Sequence, residues 1–123
     1  MGDNAIRMVR GTTRKLRLHV TETLEDGTSQ DFDLTDCTVH FRAKDKVEDE
    51  EPALIVKSSA QASEIEVYAA AEGKAWIKLV PADTQGLEAK QYRYDVWVVT
   101  LADERHSVFE DSLTIVAGVT VLP

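Results

Sequence analysis

The side chains able to do chemistry are few and scattered. Histidine occurs at His19, His40 and His106, and cysteine only at Cys37. A metal site needs several such ligands at short spacing; only Cys37 and His40 lie close in the sequence, and alternation puts them on opposite faces of one run. His19 and His40 fall on the polar faces of alternating runs, and His106 borders a turn, so each reads as a surface residue. Cys37 shares the apolar parity of Val39 and Phe41, which marks a small buried hydrophobe rather than a nucleophile. The carboxylates from Glu48 to Glu51 are contiguous within the run Asp45–Pro52. That run lacks the spaced acids and glycine turn of a calcium loop, and reads as a solvated loop. There is no Gly-x-Ser-x-Gly elbow, no phosphate loop and no dinucleotide fingerprint among the six scattered glycines. No catalytic residue, no metal site and no cofactor is therefore expected. What remains is aromatic. Trp76 lies between Lys74 and Lys78, and Trp97 between Asp95 and Val99. Both oppose the parity of the core residues around them, so both should point outward as candidate interface residues, since tryptophan is enriched at binding hot spots. The bland alternative is that a loop, or the aliphatic stems of flanking Lys and Arg, covers each ring. Some sandwich domains bind sugars on exposed aromatics, and these two positions keep that option open.

The elements that must position these residues fit one domain, because 123 residues hardly allow two. A single domain spanning 1–123 is expected, with an ordered core over about 5–122. Lys+Arg is 14 against 22 for Asp+Glu, a net charge of −8. An acidic domain is a poor partner for nucleic acid or for anionic membrane surfaces, both of which demand clustered cations. A lone cysteine permits no intrachain disulfide, which argues against a stapled secreted domain. The first residues show neither the basic nor the apolar region of a signal peptide, and no apolar stretch approaches a membrane span. Synthesis and solubility in a cytoplasm are expected.

The dominant period is two, the signature of half-buried strands. It runs through 15–21, 37–44, 74–79 and 92–99, with shorter runs at 6–9, 54–57, 64–68, 109–116 and 119–122, about eight or nine strands. Parity selects a core of Leu16, Leu18, Val20, Val39, Phe41, Ile65, Val67, Ile77, Leu79, Tyr94, Val96, Val98, Leu113 and Ile115. Asp26-Gly27, Glu72-Gly73 and Ala102–Arg105 read as turns, and Pro81–Gly86 as one helical turn. Short strands with polar turns indicate an antiparallel sandwich or small barrel. In Leu87–Val96 a short loop and a Tyr opening a strand resemble the tyrosine corner of Greek-key sandwiches. Tyr92 is the better candidate and Tyr94 the second, against the alternative of two ordinary core aromatics.

The order of several segments carries a resemblance. Ile6–Thr13 precedes the strand Leu16–Val20. Phe32–Arg42 follows, with Asp33-Leu34-Thr35 ahead of a strand ending Phe41-Arg42. Ala75–Thr84, Tyr92–Val96, Ser112–Ile115 and Val119–Val121 complete the series. In that order, covering about Ile6 to Val121, they resemble small immunoglobulin-like β-sandwich proteins of tailed phages and prophages. The nearest is the N-terminal domain of the siphophage baseplate upper protein. The resemblance implies an all-β, antiparallel two-sheet Greek-key sandwich. It also implies a non-enzymatic virion part of the tail, baseplate or fibre region, made in the host cytoplasm and contacting other virion proteins or itself, with neither nucleic acid nor membrane as partner. Baseplate upper proteins continue into further regions, whereas this sequence stops at Pro123, so an adaptor or decoration role is included. The alternative is a bacterial carbohydrate- or protein-binding sandwich module.

Overall fold

Alternation becomes ten strands in the computed structural model, which describes residues 5–45 and 53–117. They are β1 (Ile6–Val9), β2 (Arg14–His19), β3 (Thr21–Thr23), β4 (Ser29–Asp31), β5 (Thr38–Lys44), β6 (Ile55–Ser58), β7 (Ile65–Ala69), β8 (Lys74–Leu79), β9 (Gln91–Val99) and β10 (Arg105–Val116). A five-stranded sheet runs β1-β10-β9-β5-β6, a three-stranded sheet β2-β8-β7, and β3 with β4 forms a separate ribbon. The chain is all-β, and its main sheets curl about one buried cluster. Tyr92, Tyr94, Val96 and Val98 of β9 and Val39, Phe41 and Ala43 of β5 share this cluster with Leu18, Ile65, Ala75, Ile77 and Leu79 of the smaller sheet. Every residue selected by parity joins this cluster. Leu16 and Val67, on the outer strands β2 and β7, are only partly buried.

Three departures have physical causes. First, pairing is antiparallel except between β1 and β10, which run parallel. Second, the β3–β4 ribbon buries no side chain, so alternation leaves no mark on it. Its turn is set by Asp26, whose carboxylate accepts from the Thr28 amide at 3.0 Å and the Thr28 hydroxyl at 2.6 Å. Third, β10 begins at Arg105 rather than at 109, because a register shift between Ser107 and Phe109 interrupts the period. The expected strand at 119–122 and the acidic run beyond Asp45 lie outside the described residues.

The helical turn is present as α1 (Pro81–Gln85). Asp83 closes it by accepting from the Val80 amide at 2.7 Å. Next to it the Tyr92 hydroxyl donates to the Glu88 carbonyl at 2.7 Å, the bond expected of a tyrosine corner at this position. The Gly11 amide donates to the buried Thr84 hydroxyl at 2.8 Å and so ties the β1–β2 turn to α1.

At the opposite end, the link between β7 and β8 is a single 3-10 turn over Ala70–Glu72, followed by Gly73 at φ +71°. The Val20 amide donates to the Gly73 carbonyl, and the Leu34 amide to the Ala70 carbonyl, both at 2.8 Å. A Cβ on Gly73 would lie 2.4 Å from the Val20 carbonyl oxygen and 2.7 Å from that of Phe32. Gly73→Ala is therefore expected to cost at least about 2 kcal/mol, from left-handed strain plus a backbone clash. Chemical denaturation measures the loss, and an unchanged midpoint would overturn the expectation.

Candidate functional site

The residues first suspected of chemistry do not converge. Among the described residues no three His, Cys, Asp or Glu side chains are grouped to hold a metal ion. His19 is exposed and bonds Asp31 at 2.8 Å, pinning β2 to the ribbon. His106 is exposed, 3.6 Å from Glu104, with its ring 5.8 Å from Phe32. His40 is half-buried rather than fully at the surface, stacked on Trp97 at 5.0 Å. Burial, with Arg105 and Arg42 nearby, holds its pKa below the usual histidine value, so it is neutral at pH 7. Cys37 is partly buried and packs against the core. Burial, then the carboxylates of Asp33 and Asp36, push its thiol up, which disfavours the thiolate a nucleophile needs. A shallow groove of about 440 Å³ beside it is also lined by Asp36, Ser59 and Glu66, with no histidine to act as base.

One titration has a measurable consequence. Burial, then the Asp111 carboxylate, hold the Tyr94 phenol far above its ordinary pKa, with Arg93 partly opposing. The folded chain therefore keeps the proton where the unfolded chain releases it. Stability from this group is complete below pH about 10 and declines as pH rises past it. Thermal midpoints measured from pH 8 to pH 11 should fall for the wild type and fall less for Tyr94→Phe. Equal declines would remove Tyr94 as the cause.

The two tryptophans are where the folded chain gathers unusual neighbours. Trp76 sits on the outward face of β8, opposite Arg17 of β2 and Glu66 of β7. Its ring stacks on Tyr68 at 5.5 Å, with the Lys15 ammonium 4.6 Å and the Arg17 guanidinium 5.2 Å from its centroid. Trp97 sits on the outward face of β9, opposite His40 and Ser107. The Arg42 and Arg105 guanidinium groups lie 4.8 and 4.6 Å from its centroid. Both indoles are half-buried, covered in part by cationic stems. The tryptophans lie in different sheets and so mark two surfaces. Sequence reasoning missed Tyr68, Lys15 and Arg17 as neighbours of Trp76. Their outward parity was legible, but the cross-strand register that joins them was not.

No protein-family model matches the chain, and no curated protein matches it in sequence. No helix among the described residues is long and apolar enough to cross a membrane, which says nothing of membrane β-barrels.

Proposed function

We propose that this chain is a non-enzymatic structural or assembly protein of a phage or prophage virion, in the tail, baseplate or fibre region, built as an immunoglobulin-like Greek-key sandwich. The sandwich reading is supported by strand order. The β10-β9-β5 and β2-β8-β7 sets have the neighbour relations of the two sheets of that fold, and the tyrosine bond sits at the crossover into β9. The segments that carry the phage resemblance supply β1, β2, β5, β8, β9 and β10. The observation that carries the functional reading is the pair of tryptophans on the outward faces of two sheets. Two separate anchored surfaces suit a part held between neighbours, whether other virion proteins or further copies. In this reading the chain is made in the host cytoplasm and resides in the virion.

The test is direct. Virions assembled from a genome that encodes the chain, purified through a density gradient, should contain it in stoichiometric amount by mass spectrometry. Particles that lack it overturn the reading. A sugar- or protein-binding module of a bacterium is the second reading. Its sugar-binding form is favoured by the exposed Tyr68 beside Trp76, and a glycan array tests it. The cations already resting on both indoles favour protein contacts over sugar stacking.

A further inference from the structure

Charge is unevenly placed on this acidic chain. Among the described residues, the carboxylates on strands of the two main sheets are Glu66, Asp95, Glu110 and Asp111. By contrast, positions 20–36, 70–73 and 100–104 contain no lysine or arginine, and they include Glu22, Glu25, Asp26, Asp33, Asp103 and Glu104. These three stretches form one end of the molecule. Val20 and Leu34 bond Gly73 and Ala70, and Phe32 meets His106 just after the β9–β10 turn.

The outward face of the three-stranded sheet has the opposite sign. Lys15, Arg17, Lys74 and Lys78 surround Trp76 and Tyr68. Glu66 pairs with Lys78 at 2.9 Å, and Glu72 with Lys74 at 3.2 Å. Among the described residues Lys15 and Arg17 form no ion pair and rest on the indole instead. Tyr68 is 42% exposed.

We propose that this face docks the acidic end of a second copy of this chain, head to tail. The inference rests on the assembly reading and names the partner for one of its two surfaces. An aromatic centre rimmed by a net excess of positive charge is complementary to a lobe that carries carboxylates and no lysine or arginine in those three stretches. A symmetric face-to-face dimer would set Lys15 and Arg17 against their own copies, and an end-to-end dimer would oppose two acidic lobes. Both juxtapositions are repulsive. The remaining arrangement joins two different patches, so it repeats from copy to copy and yields a ring or a filament.

Sedimentation velocity on the full chain tests this. The wild type should associate with rising concentration at low salt and dissociate at about 1 M salt, where the screening length falls to about 3 Å. Trp76→Ala should weaken association about 30-fold, as loss of a hot spot does. The variant pair K15E/R17E and the variant pair E25K/E104K should each be monomeric alone and should co-assemble one-to-one when mixed, because mixing restores opposite charge at both contacts. A wild type that stays monomeric at every concentration overturns the proposal. So does failure of the mixed variants to assemble, or a monomer whose basic face is filled by heparin with no self-association. A monomer that nonetheless occurs in purified virions overturns self-docking alone, whereas its absence from virions overturns the broader reading.

Discussion

Phe41→Ala is expected to lower the unfolding free energy by about 3–5 kcal/mol, the range for truncating a fully buried aromatic. Phe41 has no exposed surface, lies at the centre of β5 between β6 and β9, and stacks on Tyr94 at 5.2 Å. The five-stranded sheet supplies Phe41, and the three-stranded sheet supplies Leu18, Ile65 and Ile77 to the same cluster. β5 is hydrogen-bonded on both sides, which holds the backbone around the void in place. A domain of ordinary stability, about 5–15 kcal/mol, would lose a large share of it. Urea unfolding at constant m-value measures the loss. Phe41→Leu, which keeps most of the volume, should cost clearly less. If the Ala variant unfolds at the wild-type midpoint, the parity rule that placed Phe41 inside is wrong for this strand.

That rule carried the core because the main sheets share one buried cluster, and a period of two assigns each side chain to that cluster or to the outside. It worked along β2, β5, β8 and β9, where strands are regular. It did not resolve β6. Leu54 and Val56 are apolar and share one parity, yet they are 47% and 59% exposed, while Ile55 and Lys57 turn inward. Alternation of apolar residues cannot anticipate a lysine facing the core, because the residue that compensates it lies far along the chain, in α1. The same limit hid the surroundings of Trp76. Each of Tyr68, Lys15 and Arg17 could be placed outward from its own strand, but only the pairing of β2 and β7 with β8 sets them around one ring. The tyrosine bond was legible because it is local, closing over four residues between Tyr92 and Glu88.

The inward Lys57 leads to the second large effect. Its ammonium lies 2.8 Å from Asp83 Oδ2, and both side chains are mostly buried, at 8% and 17% exposure. The same oxygen accepts the Val80 amide at the start of α1. Asp83→Ala removes both contacts at once. It leaves a buried ammonium without its carboxylate, which typically costs about 3–5 kcal/mol, whereas loss of the helix cap alone costs about 1 kcal/mol. Thermal and urea unfolding of Asp83→Ala should therefore show the larger figure. The double variant Lys57→Met with Asp83→Ala separates the two contributions, since an apolar side chain of similar volume needs no counter-charge. It should recover most of the loss and leave a deficit close to that of the missing cap. A single variant costing no more than about 1 kcal/mol would mean that Lys57 finds water at the edge of β6, and that the pair is a surface contact of little weight. The site of this change is α1, which binds the β1–β2 turn through Thr84 and adjoins the Tyr92 corner, at the end of the sheets opposite the acidic lobe. A folded Asp83→Ala variant should accordingly lose stability while retaining any association that depends on Trp76.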